Sequence, residues 1–131
     1  GEDGAIAHII EAITHGTGMD SSVAAASVRR MPPAIAIRIS EQVMTCCKLD
    51  TEVAARLLES WATIDADPTR MLEWGLTHAD PAVRMQAVWL VGERRERAWL
   101  KRVAPMLRDE DSGIRSMAAW TIVRVLGDEY D

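Results

Sequence analysis

Four aspartates set the frame for this chain. Asp20, Asp50, Asp80 and Asp111 lie 30, 30 and 31 residues apart, and each is followed three positions later by Val23, Val53, Val83 or Ile114. A period of this size marks a repeat whose single unit cannot bury its own apolar face, so that neighbouring units must stack into a continuous core. Asp is also suited to the start of a helix. Its carboxylate accepts from free backbone N–H groups and favours the positive end of the helix dipole. Pro81, directly after Asp80, sits where a missing N–H costs nothing.

The spacing predicts Asp-led helices at about 20–31, 50–63, 80–93 and 111–126. Four further helical stretches fall between them, at roughly 4–15, 33–48, 68–78 and 96–108. Gly16 stops the first, Pro32 and Pro33 open the second, and Asp67 with Pro68 opens the third. Pro105 falls inside the fourth and is expected to kink its last turn. Hydrophobic residues make up 48% of the chain, enough for a core. The alternating β-branched and aromatic runs that half-buried strands need do not occur. The expectation is one all-α domain of four helix pairs, 4–31, 33–63, 68–93 and 96–127, which also reads well as a piece of a longer chain.

The last two pairs are the most alike. Leu76 and Leu107, Asp80 and Asp111, Arg84 and Arg115, Ala87 and Ala118, and Trp89 and Trp120 all match at a spacing of 31. The run of Leu76, Asp80, Pro81, Val83, Arg84, Ala87 and Gly92 resembles the repeat of HEAT-like proteins, and more closely the short repeats of phycobilisome-lyase type. Ser112 replaces the proline in the next copy, and Gly127 comes four positions late. In the first half little survives beyond the Asp and Val positions, with Ala24 and Ala54 in place of the arginine, but the spacing keeps these repeats in phase. The resemblance implies a right-handed α-solenoid whose Asp-led helices line the concave face. It also implies that Asp80, Arg84, Asp111 and Arg115 are structural, as caps and as a ladder between repeats. Asp20 and Asp50 are expected to act as caps alone.

Little in the chain suggests catalysis. His8, His15 and His78 are the only histidines, and no pair has the i, i+4 spacing of a helical metal site. The His-Glu dipeptides of HEAT-like iron hydroxylases are missing. No Gly-rich phosphate loop or nucleophile elbow is present. Asp109, Glu110 and Asp111 read as a solvated turn with a cap. Cys46 and Cys47 are adjacent. Within a helix they would point about 100° apart, so they read as two free thiols in a reducing cytoplasm. No apolar run reaches the ~18 residues of a membrane span, and the acidic start, Gly1, Glu2 and Asp3, is unlike a signal peptide. The expected location is cytoplasmic, with no cofactor and no metal.

The net charge of −5 argues against a nucleic-acid binder, which needs a basic face. Arg94, Arg95, Arg97, Lys101 and Arg102 form a basic run, interrupted by Glu93 and Glu96, that reads as a charged turn. A bilin-lyase role follows only from the resemblance, since no bilin-specific residue is evident.

What remains is protein binding. If Val83, Ala87, Leu90 and Val91 face the core, Trp89 lies roughly 145° away from them, and Trp120 matches it one repeat later. The groove so predicted carries Arg29, Glu59, Met85, Trp89, Ser116, Trp120 and Arg124. Trp, Met and Arg are enriched at binding surfaces. The alternative is that both tryptophans pack at the repeat junction, as Trp61, Trp74 and Trp99 are expected to do. The first helix, with Ile6, Ile9, Ile10 and Ile13, is apolar enough to suggest a missing neighbour or a homodimer through that end. The acidic tail 128–131 reads as a cap. The function expected is a scaffold or adaptor that binds a protein segment, with a bilin-lyase subunit or a nucleic-acid-binding repeat protein as alternatives.

Overall fold

The helices begin and end largely where the prolines, glycines and aspartates punctuate the chain. The computed structural model describes residues 1–17 and 19–127, and among these there is no strand. Eight α-helices follow in order: α1 Glu2–His15, α2 Met19–Ser27, α3 Pro33–Cys46, α4 Thr51–Ser60, α5 Thr69–Leu76, α6 Pro81–Arg94, α7 Leu100–Val103 and α8 Ser112–Gly127. Three tight 3-10 turns adjoin two of them, Val28–Arg30 after α2 and Arg97–Trp99 and Ala104–Arg108 on either side of α7. The described residues are thus all-α, as the repeat spacing predicts. The acidic tail 128–131 lies outside the described residues.

Proline and glycine act where their chemistry requires. Pro33 and Pro81 each occupy the first turn of a helix. Pro105 ends one: α7 stops at Val103 and the chain tightens into 3-10 geometry, because proline has no N–H for the i−4 bond. The stretch expected as one helix over 96–108 is therefore three short pieces. At the end of α1, Gly16 N–H bonds Ala12 O at 3.0 Å, and a side chain on Gly16 would collide with that carbonyl.

By its contacts the chain groups into two compact units, one over Gly1–Met71 and one from Leu72 onward. In the first, α1 packs on α2 and α3, and α2 packs on α4. Ile13, Ala25, Val28, Ile39, Val43, Leu57 and Leu58 are buried there. Of the four isoleucines in α1, Ile6 and Ile13 are buried within the chain and Ile9 and Ile10 are half-buried. Trp61 is 2% exposed, and its indole N–H donates to Ser40 Oγ at 2.9 Å. In the second unit α6 packs along α8, over Val83, Ala87, Val88, Val91, Ile114 and Ala118.

Two local expectations fail. Helix α2 starts at Met19, so Asp20 lies inside the helix rather than at its cap. Its own N–H bonds Thr17 O at 3.2 Å. The shift turns the repeat valine outward: Val23 is 61% exposed, whereas Val53, Val83 and Ile114 are 4%, 0% and 0% exposed. The first Asp–Val segment thus does not share the burial pattern of the other three. The second failure concerns the thiols. Cys46 and Cys47 are joined in a disulfide. Helix α3 ends at Cys46, and Cys47 is extended at φ −149° and ψ 157°, so the 100° helical separation does not apply between them.

The Trp61–Ser40 bond yields a test. Ser40→Ala removes the hydroxyl that accepts from the Trp61 indole, at a cost of about 0.5–1.5 kcal/mol. Urea unfolding of wild type and variant measures it. A loss below about 0.5 kcal/mol, the range of an ordinary surface change, would mean that the bond does not hold the two segments.

Candidate functional site

The turns that enter α6 and α8 are built alike. Asp80 is the N-cap of α6, and its carboxylate accepts from Ala82 N–H at 2.9 Å. Asp111 precedes α8 and accepts from Ile114 N–H at 3.1 Å. Arg84 donates to the carbonyls of His78 and Ala79, each at 2.9 Å. Arg115 donates to those of Asp109 and Glu110 at 2.8 and 3.0 Å. Each arginine thus fastens its helix to the turn that precedes it. The match extends further. Asp80 N–H donates to His78 Nδ1 at 3.0 Å, and Asp111 N–H donates to Asp109 Oδ1 at 2.9 Å. His78 and Asp109 share one place in the repeat, and any side-chain acceptor of suitable reach serves there. Asp50 occupies the N-cap of α4 but makes no side-chain cap bond.

With their entries fixed, α6 and α8 approach closely at Gly92. A Cβ there would lie 2.8 Å from the edge of the Trp120 ring and 3.0 Å from Thr121 Oγ1. Thr121, fully buried, donates its hydroxyl to Val88 O at 2.9 Å. Gly92 lies inside α6 and does not end it. The end is Arg95, at φ 52° and ψ 47°, where Glu96 N–H reaches Val91 O and Arg95 N–H reaches Gly92 O. This is the left-handed helix stop usually given to glycine.

The same approach forms an open groove of 400 Å³ lined by Met85, Trp89, Gly113, Ser116, Met117 and Trp120. Trp120 is 40% exposed and Trp89 is half-buried. At one side the Arg124 guanidinium stands over the Trp120 ring, 5.4 Å from its centroid. It also pairs with Glu93 at 3.4 Å, while its Nε is buried without a partner.

Of the residues expected to share a groove, the structure brings together Met85, Trp89, Ser116 and Trp120, with Arg124 against Trp120. Arg29 and Glu59 belong to the first unit and do not line this groove. Arg29 is exposed, and Glu59 accepts from Arg56 at 3.0 Å. Sequence reasoning missed Gly113 and Met117. Their signal is the spacing 113, 117, 120, 124, which places four residues on one helical stripe.

The basic run is largely compensated. Arg94 pairs with Glu96 at 3.1 Å. Arg102 reaches both oxygens of Glu73, at 2.8 and 3.0 Å, and stands over the Trp99 ring at 5.6 Å. The hydrogen bonds from Arg102 hold the Glu73 carboxyl below its ordinary range, against a smaller opposing effect of burial and with help from the direct charge attraction. Among the described residues no group of three or more His, Cys, Asp and Glu side chains is placed to hold a metal. No helix among them is long and apolar enough to cross a membrane.

Residues 69–130, just under half of the chain, match the family model of HEAT repeats, and this span contains α6, α8 and the groove between them. No curated protein and no solved structure matches the chain.

Two measurements test this geometry. Gly92→Ala places a methyl group against Trp120 and Thr121 and should cost about 1–3 kcal/mol, with a shift in tryptophan emission. Unchanged stability and emission would mean that the helices do not approach as described. For Glu73, a depressed folded pKa gives a contribution that is full above the ordinary glutamate value of 4.5 and is lost as pH falls through the lowered one. The pair is well exposed, with side chains 38% and 52% accessible, so its size is about 0.5 kcal/mol. Glu73→Gln should therefore be less stable than wild type at neutral pH, and the difference should vanish in acid. A constant difference across that range would assign the effect to something other than the ion pair.

Proposed function

We propose that the chain is a non-enzymatic scaffold or adaptor, and that the groove between α6 and α8 takes an apolar side chain from a protein segment. HEAT repeats generally mediate protein–protein interaction, and their proteins are typically non-enzymatic. The observation that carries the reading here is the composition of one groove: Trp89 and Trp120, matched across two repeats, with Met85 and Met117 beside them. Tryptophans combine large apolar area with few rotatable bonds, and Met adapts to irregular partners. Both features favour a protein anchor over a phosphate backbone. Arg124, which stands beside the groove, is already engaged by Glu93 and the Trp120 ring, which also speaks against nucleic acid.

The test uses a displayed peptide library selected on the wild-type protein, with the enriched peptides then measured against a Trp89→Ala, Trp120→Ala variant of equal helix content by circular dichroism. Enriched peptides should share an apolar anchor, shift the tryptophan emission of the wild type, and lose about tenfold or more in affinity for the variant. Peptides that bind both proteins equally would overturn the reading. A binding constant that falls steeply with salt would favour a polyanion instead.

A further inference from the structure

We infer that Cys46 and Cys47 form a reversible thiol–disulfide exchange site, and that its oxidation state sets where α3 ends. The two residues are adjacent and bonded to each other. Cys46 is exposed and Cys47 half-buried, so a small disulfide in solution can reach the pair. The bond is incompatible with a continuous helix. Adjacent residues of an α-helix point about 100° apart, and the pair meets only because Cys47 leaves the helix for an extended conformation.

That departure has a local consequence. The sequence before it, Met44, Thr45 and Cys46, is helical, and neither Cys47 nor Lys48 is a helix breaker of the glycine or proline kind. With the bond broken, the N–H groups of Cys47 and Lys48 are free to take the carbonyls of Val43 and Met44 as the next two i−4 bonds of α3. With the bond formed, this extension is excluded. Leu49 is buried and Asp50 is the N-cap of α4, so only these two residues between α3 and the next anchored position can change. The device is a short one, a turn that is either locked or free.

The chemistry balances with a low-molecular-weight disulfide as oxidant. The Cys46 thiolate attacks one sulfur of that disulfide and expels one small thiolate, leaving a mixed disulfide on Cys46. The Cys47 thiolate then attacks the Cys46 sulfur, forms the protein disulfide and expels the second small thiolate. Two electrons pass from the protein to the small disulfide, and the two protons from the cysteine thiols go to solvent or to the released thiolates. A low-molecular-weight thiol in excess reverses both steps.

The experiment takes the fully reduced protein and adds oxidised glutathione, with intact mass as the first readout. Wild type should lose the mass of two hydrogens and remain monomeric. Cys47→Ser should instead retain one glutathione on Cys46, since its mixed disulfide has no resolving thiol. A trivalent arsenical, which bridges two adjacent thiols, should bind reduced wild type once per chain and neither Cys46→Ser nor Cys47→Ser. Hydrogen exchange is the second readout, and the amides of Cys47 and Lys48 should exchange more slowly in the reduced protein than in the oxidised one. A glutathione adduct that persists on wild type, or disulfide-linked dimers, would overturn the proposal. Identical exchange at both amides in the two states would overturn it as well.

Discussion

The second half of this chain depends on how closely two helix backbones approach. At Gly92 the surface of α6 has no side chain, and the edge of Trp120 and the Cα of Thr121 occupy the space a Cβ would fill. The Thr121 hydroxyl then reaches across to Val88 O, adding a directional bond to a contact otherwise made by shape. Close approach at one end of the contact leaves the rest of its surface to be filled. Near the start of α8 the residue facing Met85 is Gly113, whose absent Cβ leaves Met85 Sδ 3.2 Å from where it would stand. One glycine on each helix thus defines the groove. Gly92 draws the backbones together, and Gly113 leaves an opening where Met85 and Met117 meet the two tryptophans.

Repetition in this protein preserves roles more strictly than residues. Arg84 and Arg115 fasten equivalent turns through equivalent carbonyls, and neither could do so if its helix began one residue earlier or later. The acceptor for the Asp N–H, by contrast, is an imidazole in one copy and a carboxylate in the next. Geometry constrains the arginine because it must span from the first turn of a helix to a loop carbonyl. The other place needs only an acceptor two residues before the aspartate, which short polar side chains supply readily. This is why the acidic run at 109–111 is a built turn, with Asp109 and Asp111 each bound to backbone N–H groups.

The helix starts at Pro33 and Pro81 were legible in the sequence, because each follows from local backbone chemistry, whereas at Pro105 a kink was expected and α7 instead ends at Val103. Helical angles placed Met85, Trp89, Ser116 and Trp120 together, as the groove does, but left open whether the tryptophans pack at the junction, and Trp120 lies against α6 at Gly92 as well. The start of α2 was not legible. Asp20 has the residue type of a cap, yet the chain begins its helix at Met19 through a bond from Asp20 N–H to Thr17 O, and nothing in the Asp-Val spacing records that competing turn. Cys47 was misread for a similar reason. Its helix propensity is unremarkable, and only the observed end of α3 shows that it can face Cys46. Arg29 and Glu59 were placed by extending the repeat phase into the divergent half. There the first Asp–Val segment does not share the burial pattern of the others, and Glu59 is engaged on its own helix by Arg56.

Arg124 shows how an exposed ring beside the groove is held. Its guanidinium covers one face of Trp120 and is tied to Glu93, at the expense of a buried Nε that has no hydrogen bond. An unpaired donor of this kind is costly, and the ring and carboxylate offset it by holding the charge where it is. The consequence falls on Trp120. Arg124 covers its face and α6 lies close to its edge at Gly92, so the indole is contacted on two sides although it is 40% exposed. A large apolar side chain that is already fixed loses little conformational entropy when something covers it. The support for a binding role therefore rests less on exposure as such than on exposure of a ring already packed on two sides, by a glycine that draws the helices together and by a cation that stands over its face.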